Sequence, residues 1–278
     1  MATPAVIMTI AGSDSGGGAG IQADLKTMTV LGGFGISAIT ALTAQNGAGV
    51  RGIHAPDPAF MRLQLETLLE GFPIAAAKTG MLFSAPLMEV IADCLAMKSF
   101  PLVVDPVAVS QSGHKLLQDD AVAALISLIL PLADVVTPNA PEAEALTGRK
   151  LRVLADVGTV ANDLMSMGAK AVLLKGGHFT PEDLPGNGSM TDWLCLPGAE
   201  PKPLSHKRID TPNNHGTGCT LSAAMATFLG QGKSLEQAVV LAQKYLVAGL
   251  AASYTPGIGC GPPNFSAGAA ALGCCRSQ

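Results

Sequence analysis

Ten residues, Asp210-Thr-Pro-Asn-Asn-His-Gly-Thr-Gly-Cys219, run directly into an apolar helical stretch from Thr220 to Leu229. A glycine-rich turn that opens a helix leaves backbone N–H groups unpaired and aimed at one spot, and the helix dipole adds partial positive charge there. Gly216, Thr217 and Gly218 therefore form a candidate anion cradle. Cys219 sits in it, where the same field favours thiolate over thiol. A cysteine at a helix start is ordinarily a small buried apolar residue. The Gly-Thr-Gly setting points instead to a base inside an anion site, which is equipment for phosphoryl transfer.

Other residues suit the same chemistry. Lys175 ends an apolar run and precedes Gly176 and Gly177, so a strand-end cation beside bare backbone calls for an anion such as a nucleotide phosphate. His178 reads equally as packing or as a substrate contact. Asn139-x-x-Glu142 has two readings. One is a helix start, with Asn139 as cap and Pro141 in the first turn. The other is a magnesium site on a bound nucleotide, with Glu142 holding the ion directly or through water. Gln45, in Thr43-Ala-Gln-Asn46, carries one acceptor and two donors in a plane. That matches an amino-substituted nitrogen heterocycle, as Asn and Gln match adenine in DNA; a loop glutamine is otherwise simply solvated. The Gly16–Gly20 loop is neither a dinucleotide fingerprint, because Ile21 stands at the third glycine position, nor a Walker loop, because Gly18 stands where lysine is required. It reads as a plain turn or as bare backbone that a small flat substrate can approach.

These residues need a frame that brings them together. Strands are expected at Ala5–Ile10, Gly35–Ala41, Ala75–Thr79, Leu102–Asp105, Asp134–Thr137, Ala171–Lys175 and Asp192–Leu196. Helices are expected at Gly20–Leu31, Pro58–Glu70, Pro86–Lys98, Asp119–Leu130, Pro141–Leu146, Val153–Met167, Gly218–Leu229 and Leu235–Ala252. Continuous apolar strands alternating with helices predict an α/β fold, a mostly parallel sheet in a three-layer α/β/α sandwich. In such sheets the crevice lies beyond the carboxyl ends of the strands. Gly12–Gly18, Lys78–Met81, Asp105-Pro106, Thr137–Asn139 and Lys175–His178 all fall on that rim. The expected organisation is one domain over residues 1–265, with a small-residue tail, 266–278, that frays.

Composition narrows the function classes. Hydrophobic residues make up 48% of the 278 and charged residues 14%, enough for a large core, and the net charge of −4 argues against non-specific nucleic-acid binding. The six cysteines show no CxxC or zinc spacing and read as reduced, cytoplasmic thiols. There is no secretion signature, and the longest apolar stretch, Ala121–Pro131, falls far short of the roughly 20 residues of a membrane span.

Taken together, the motifs resemble the hydroxymethylpyrimidine/phosphomethylpyrimidine kinase family of thiamine biosynthesis, within the ribokinase-like superfamily. The matching stretches are Ala11–Thr27, Ile39–Asn46, Lys78-Thr-Gly-Met81, Asp105-Pro-Val107, Thr137-Pro-Asn139 through Glu142, Lys175-Gly-Gly-His178 and His215-Gly-Thr-Gly-Cys-Thr220. The resemblance implies that Gln45 holds an aminopyrimidine in a pocket lined by Ala19, Asp24 and Val107. It implies that Asn139, Glu142 and Lys175 serve magnesium and ATP, together with Thr217 and Gly218. It places Cys219 where many ribokinase-like enzymes carry an aspartate base, and it implies a homodimer.

Three departures stand out. Ala108 replaces a methionine common in the family, Ser110-Gln111 replaces Ala-Lys, and Gly259–Phe265 lacks both histidines of the usual C-terminal signature. The change at Ala108 keeps pyridoxal open as a substrate. A Cys/His hydrolase built on His215 and Cys219 is disfavoured, since the two lie four residues apart with no evident orienting carboxylate. A non-catalytic vitamin or nucleotide sensor is the remaining alternative, against which the set of Lys175, Glu142 and Cys219 speaks.

Overall fold

The strands that form the centre of the molecule are mainly apolar runs, and the polar residues within them, such as Thr9 and Lys78, are buried. The computed structural model describes residues 3–107, 119–176 and 189–274. The chain opens with β1 (Val6–Asp14), α1 (Gly20–Val30) and β2 (Phe34–Asn46), followed by β3 (Gly49–His54), α2 (Pro58–Gly71) and β4 (Ile74–Thr79). Then come α3 (Ala85–Leu95), β5 (Leu102–Val104), α4 (Asp119–Ala124), β6 (Val135–Val136), α5 (Ala140–Thr147) and α6 (Leu154–Ser166). β7 (Val172–Leu174), β8 (Ser189–Cys195), β9 (Lys202–Lys207), α7 (Thr217–Gly230), α8 (Leu235–Ala251) and α9 (Phe265–Ala271) complete it.

Among the described residues the strands form one sheet of nine, in the order β3-β2-β1-β4-β5-β6-β7-β8-β9. The pairings from β2 through β7 are parallel, while β3, β8 and β9 are antiparallel additions at the two edges. Alternate residues of β1 show why helices cover both faces. Val6, Met8 and Ile10 join a core with Met61 and Leu65 of α2, Ile91 of α3 and Leu164 of α6. Ile7 joins a second core with Met28 of α1, Phe228 of α7 and Tyr245 of α8. The three-layer α/β/α expectation holds. β1 is flanked by β2 on one side and β4 on the other, so the strand order reverses there, and the crevice of such a sheet opens at that point. No helix among the described residues is long and apolar enough to cross a membrane.

Three local features differ from the sequence expectation. β3 and β9 were not foreseen because both edge strands are largely exposed: β3 is short and broken by Gly49, Arg51 and Gly52, and β9 is mostly polar. Pro203 in β9 has no N–H to donate, a residue tolerated at an edge. The helix expected through Leu130 is α4 followed by a π turn at Leu125–Ile129 and a 3₁₀ turn at Leu130–Leu132; Pro131, without an N–H, cannot continue the α pattern. The tail expected to fray from residue 266 instead includes α9. Asn264 caps it by accepting from the Ala267 N–H, and Phe265 and Ala269 are buried. A Cβ on Gly268 would lie 2.7 Å from the Tyr245 carbonyl oxygen, so α9 lies flush on α8. Phe265→Ala is expected to lower the unfolding free energy by about 3 kcal/mol, read from urea denaturation; an unchanged midpoint would show that α9 contributes no packing.

Candidate functional site

The carboxylate of Asp14, at the end of β1, organises one half of the rim. Its Oδ1 accepts the Gly16 N–H (2.8 Å), and its Oδ2 accepts the N–H groups of Gly18 (3.1 Å) and Ala19 (2.9 Å). His215 Nε2 lies 2.9 Å from the same Oδ2. Burial would raise the pKa of this carboxyl, but the His215 and backbone hydrogen bonds outweigh it and hold Asp14 below the usual carboxylate range. The Gly16–Gly20 loop is thereby wound around a permanent anion and tied to the turn before α7.

The two turns touch through their backbones. Gly216 takes a positive φ of 76°, and a Cβ there would stand 2.0 Å from the Gly18 carbonyl oxygen. Glycine is required for that approach. On the far side, the Gly261 carbonyl accepts the His215 N–H (3.1 Å), and buried Asn213 Oδ1 accepts from Gly261 N–H (2.9 Å) and Thr255 Oγ1 (2.8 Å). The segment around Gly261, to which the sequence assigned no role, therefore braces the anion turn from behind. Asp14, Asn213 and Gly261 are site-building residues that sequence reasoning missed.

The other half of the rim is a charge cluster at the ends of β5 and β7 and the start of α5. Lys175 Nζ lies 3.1 Å from Asp105 Oδ1 and 3.6 Å from Glu142 Oε2. Asp105 is buried, accepts from Thr137 Oγ1 at 3.3 Å, and has its Oδ2 3.2 Å from where a Cβ on Gly218 would be. Asn139 and Glu142 form a reciprocal capping box, with Glu142 N–H on Asn139 Oδ1 (2.9 Å) and Asn139 N–H on Glu142 Oε2 (2.8 Å). The helix-start reading of the Asn139-x-x-Glu142 pair holds, and the same cap places the Glu142 carboxylate beside Lys175. Burial raises the pKa of Glu142, opposed by Lys175 and reinforced by Asp105. Lys175 is raised: the two carboxylates outweigh burial.

On the other flank, Lys78 at the end of β4 is fully buried and pairs with Asp24 at 3.1 Å; Asp24 also accepts from Thr9 Oγ1 at 2.6 Å. Asp24 was expected to line a substrate pocket. Asp24 is 0% exposed here and is engaged by Lys78 and Thr9. Gln45 remains at the rim: Ser15 Oγ donates to its carbonyl oxygen (2.9 Å) and accepts its N–H (2.8 Å), and Thr43 Oγ1 lies 3.0 Å from its Oε1. Ala19 lies on the loop around Asp14, and Val107 follows Asp105, its N–H bonded to the Asp105 carbonyl at 2.9 Å. Ala108, Ser110, Gln111, Gly177 and His178 lie outside the described residues.

The comparisons with known proteins can be set beside this geometry. Residues 14–264 match the family model for phosphomethylpyrimidine kinase. The chain belongs to the phosphomethylpyrimidine kinase family. It is similar to the hydroxymethylpyrimidine/phosphomethylpyrimidine kinase of Haemophilus influenzae, 46% identical over 259 residues that cover 93% of this chain and 95% of that one. Among solved structures it resembles the phosphomethylpyrimidine kinase of Clostridium difficile 630 (38% identity, TM-score 0.76, covering 87% of this chain and 98% of that one). It also resembles a pyridoxal kinase of Staphylococcus aureus in complex with AMP-PCP and pyridoxal (31% identity, TM-score 0.84, covering 96% and 95%). Shape thus agrees more closely with the pyridoxal kinase and sequence with the phosphomethylpyrimidine kinases. Sequence carries more weight for substrate, since a fold hosts many activities.

In this phosphomethylpyrimidine kinase family member, one expectation is reversed. The sequence placed Cys219 at a helix N-terminus, where a thiol should acidify. Burial instead pushes the thiol up to about 12; Lys78 and the Gly20 N–H favour the thiolate, Asp24 and Asp105 oppose it, and burial prevails. By accessible surface Cys219 is only half-buried, and its surroundings favour the neutral thiol at rest. Alkylation of Cys219 by iodoacetamide, followed on its own peptide by mass spectrometry, should be slow and still accelerating with pH at about pH 9. A plateau below neutrality would restore the acidic thiolate.

Proposed function

We propose that this chain phosphorylates 4-amino-5-hydroxymethyl-2-methylpyrimidine and then the resulting monophosphate, with ATP as donor, as a hydroxymethylpyrimidine/phosphomethylpyrimidine kinase of thiamine biosynthesis. The observation that carries the reading is a convergence at one helix N-terminus. The Gly216–Gly218 turn of α7 meets the Lys175–Asp105–Glu142 cluster within a family whose curated members carry that activity. Residues 1–265 would act as one kinase domain.

Phosphoryl transfer calls chiefly for in-line positioning and charge neutralisation. The amides of Gly216 and Gly218 supply preorganised donors for charge on the transferring group, while the Thr217 N–H donates to the Asn214 carbonyl at 3.4 Å. Lys175 supplies a mobile cation: its ammonium, now shared by Asp105 and Glu142, can turn to nucleotide phosphates, with Asn139 holding Glu142 in place. Two buried carboxylates around one ammonium leave an excess negative charge, and this suits a divalent cation. Among the described residues no three His, Cys, Asp or Glu side chains gather as a metal cage. Magnesium is commonly held by one or two carboxylates and by substrate phosphates. Magnesium, when bound at Glu142 directly or through water, neutralises phosphate charge. Gln45 offers the planar amide for the aminopyrimidine, with Ala19 and Val107 beside it. Cys219 contributes as part of the cradle wall, and the acceptor hydroxyl's proton passes to an oxygen of the transferred phosphoryl group as the new O–P bond forms and the bond to the ADP leaving group breaks.

The chain is further proposed to be a homodimer. Phe34, Leu42, Ile53, Phe60, Leu63 and Phe72 are exposed on β2, β3 and α2 and the turn that follows, with Phe34 and Phe72 stacked at 6.2 Å. That apolar edge suits a second copy. Light scattering should give twice the 28.1 kDa chain mass, and a monomer would overturn it. We place the chain in a reducing cytoplasm, where the thiols of Cys94, Cys195, Cys219 and Cys260 stay free.

Pyridoxal phosphorylation is the second reading, favoured by the structural match to the Staphylococcus aureus enzyme. A coupled ATP-consumption assay with magnesium on hydroxymethylpyrimidine, its monophosphate and pyridoxal decides between them. Turnover of the first two to a diphosphate is expected. Turnover of pyridoxal alone would move the activity to vitamin B6, and inactivity on all three would leave a sensor.

A further inference from the structure

The buried carboxylate of Asp192, on β8, lies outside the site yet grips the residue that follows Lys175. Its Oδ1 accepts the Gly176 N–H at 2.8 Å. Its Oδ2 accepts from Gln243 Nε2 of α8 at 2.8 Å and lies 3.3 Å from His206 Nε2 of β9. Asp192 is 4% exposed and Gln243 6%. A buried carboxylate is costly unless its oxygens are satisfied, and here three elements converge to satisfy it.

The local backbone explains the arrangement. β7 pairs with β8 as far as Leu174 opposite Trp193. Beyond that point the strands close so tightly that a Cβ on Gly176 would stand 1.7 Å from the Thr191 carbonyl oxygen. The Gly176 amide is received by the Asp192 side chain. Lys175 is therefore anchored on both sides: its own N–H donates to the Pro138 carbonyl (2.9 Å), and the next N–H is held by Asp192. These two bonds set the backbone from which the Lys175 ammonium reaches Asp105 and Glu142.

We propose that Asp192, steadied by Gln243 and His206, is a positioning residue for nucleotide binding, fixing the main chain at Gly176 so that the Lys175 ammonium meets the phosphates. The inference rests on the reading of Lys175 as the phosphate-binding cation. Initial rates over ATP and over hydroxymethylpyrimidine, with ADP binding by calorimetry, test it. Asp192→Ala should raise KM for ATP and weaken ADP by about tenfold, as for loss of a buried hydrogen bond to a charged group, with KM for the pyrimidine unchanged. Asp192→Asn keeps an oxygen for Gly176, and Gln243 can turn its amide to meet the new NH₂; most of the affinity should return. A purely structural role would lower kcat through a smaller active fraction and leave both KM values alone, and that result, or an Asn variant as impaired as Ala, overturns the proposal. Should Asp192→Ala fail to fold, Gln243→Met removes one brace and should shift KM for ATP in the same direction; an unchanged value overturns it. Lys175→Met separates the two levels. If it leaves KM for ATP unchanged, the reading of Lys175 falls and the inference with it. If it raises KM while Asp192→Ala does not, the inference alone falls.

Discussion

Asp14 joins the two parts of the chain that make the crevice. A carboxylate at the end of the first strand gathers three loop amides and the His215 imidazole, so the loop after β1 and the turn before α7, 201 residues apart, share one anchor. Charged acceptors make hydrogen bonds stronger than neutral ones. Because folding lowers the Asp14 pKa, its contribution to stability is present above the ordinary carboxylate range near 3.8 and is lost as pH falls through the folded value. At neutral pH the anchor is fully charged. The closeness of Gly216 to the Gly18 carbonyl, and of Gly20 to the Gly12 carbonyl at 2.3 Å from a would-be Cβ, depends on that winding.

Around the α7 N-terminus two ion pairs of different character stand on opposite flanks. Lys78 and Asp24 are both sealed from water, and with Thr9 they form a closed unit beneath the surface. Lys175 keeps 17% of its side chain exposed and faces two carboxylates. A fully desolvated pair is hard to open without leaving an uncompensated charge. The partly open cluster can exchange partners. The sealed pair behaves as floor and the open one as the part that responds to a ligand.

Much of this was legible in the residues. The seven expected strands exist because mainly apolar runs are best buried on both faces, and the rim was visible as glycine and polar residues following such runs. β3 and β9 escaped because both are largely exposed, β3 being short and glycine-broken and β9 mostly polar. The pairing of Asp14 with His215, or of Asp105 with Lys175, has no local signal, since the partners lie far apart along the chain. The surroundings of Asp24 and Cys219 were hidden for a related reason. The sequence reveals a carboxylate and a thiol beside a helix start, but what encloses them is set by packing: Asp24 is covered, and desolvation favours the neutral form of the half-buried Cys219 thiol.

Gly47 and Gly259 mark where the β2–β3 hairpin crosses the stretch before Gly261. Cys260 N–H donates to the Gly47 carbonyl at 3.0 Å, and a Cβ on Gly259 would overlap that carbonyl at 1.9 Å. The join is main chain against main chain. Exposed residues nearby, such as Ala48, Ile258 and Cys260, can therefore be exchanged over evolutionary time without moving the two walls relative to each other. A mouth framed in this way can acquire a different preference for its guest through surface substitutions alone, while the catalytic end inherits its spacing unaltered.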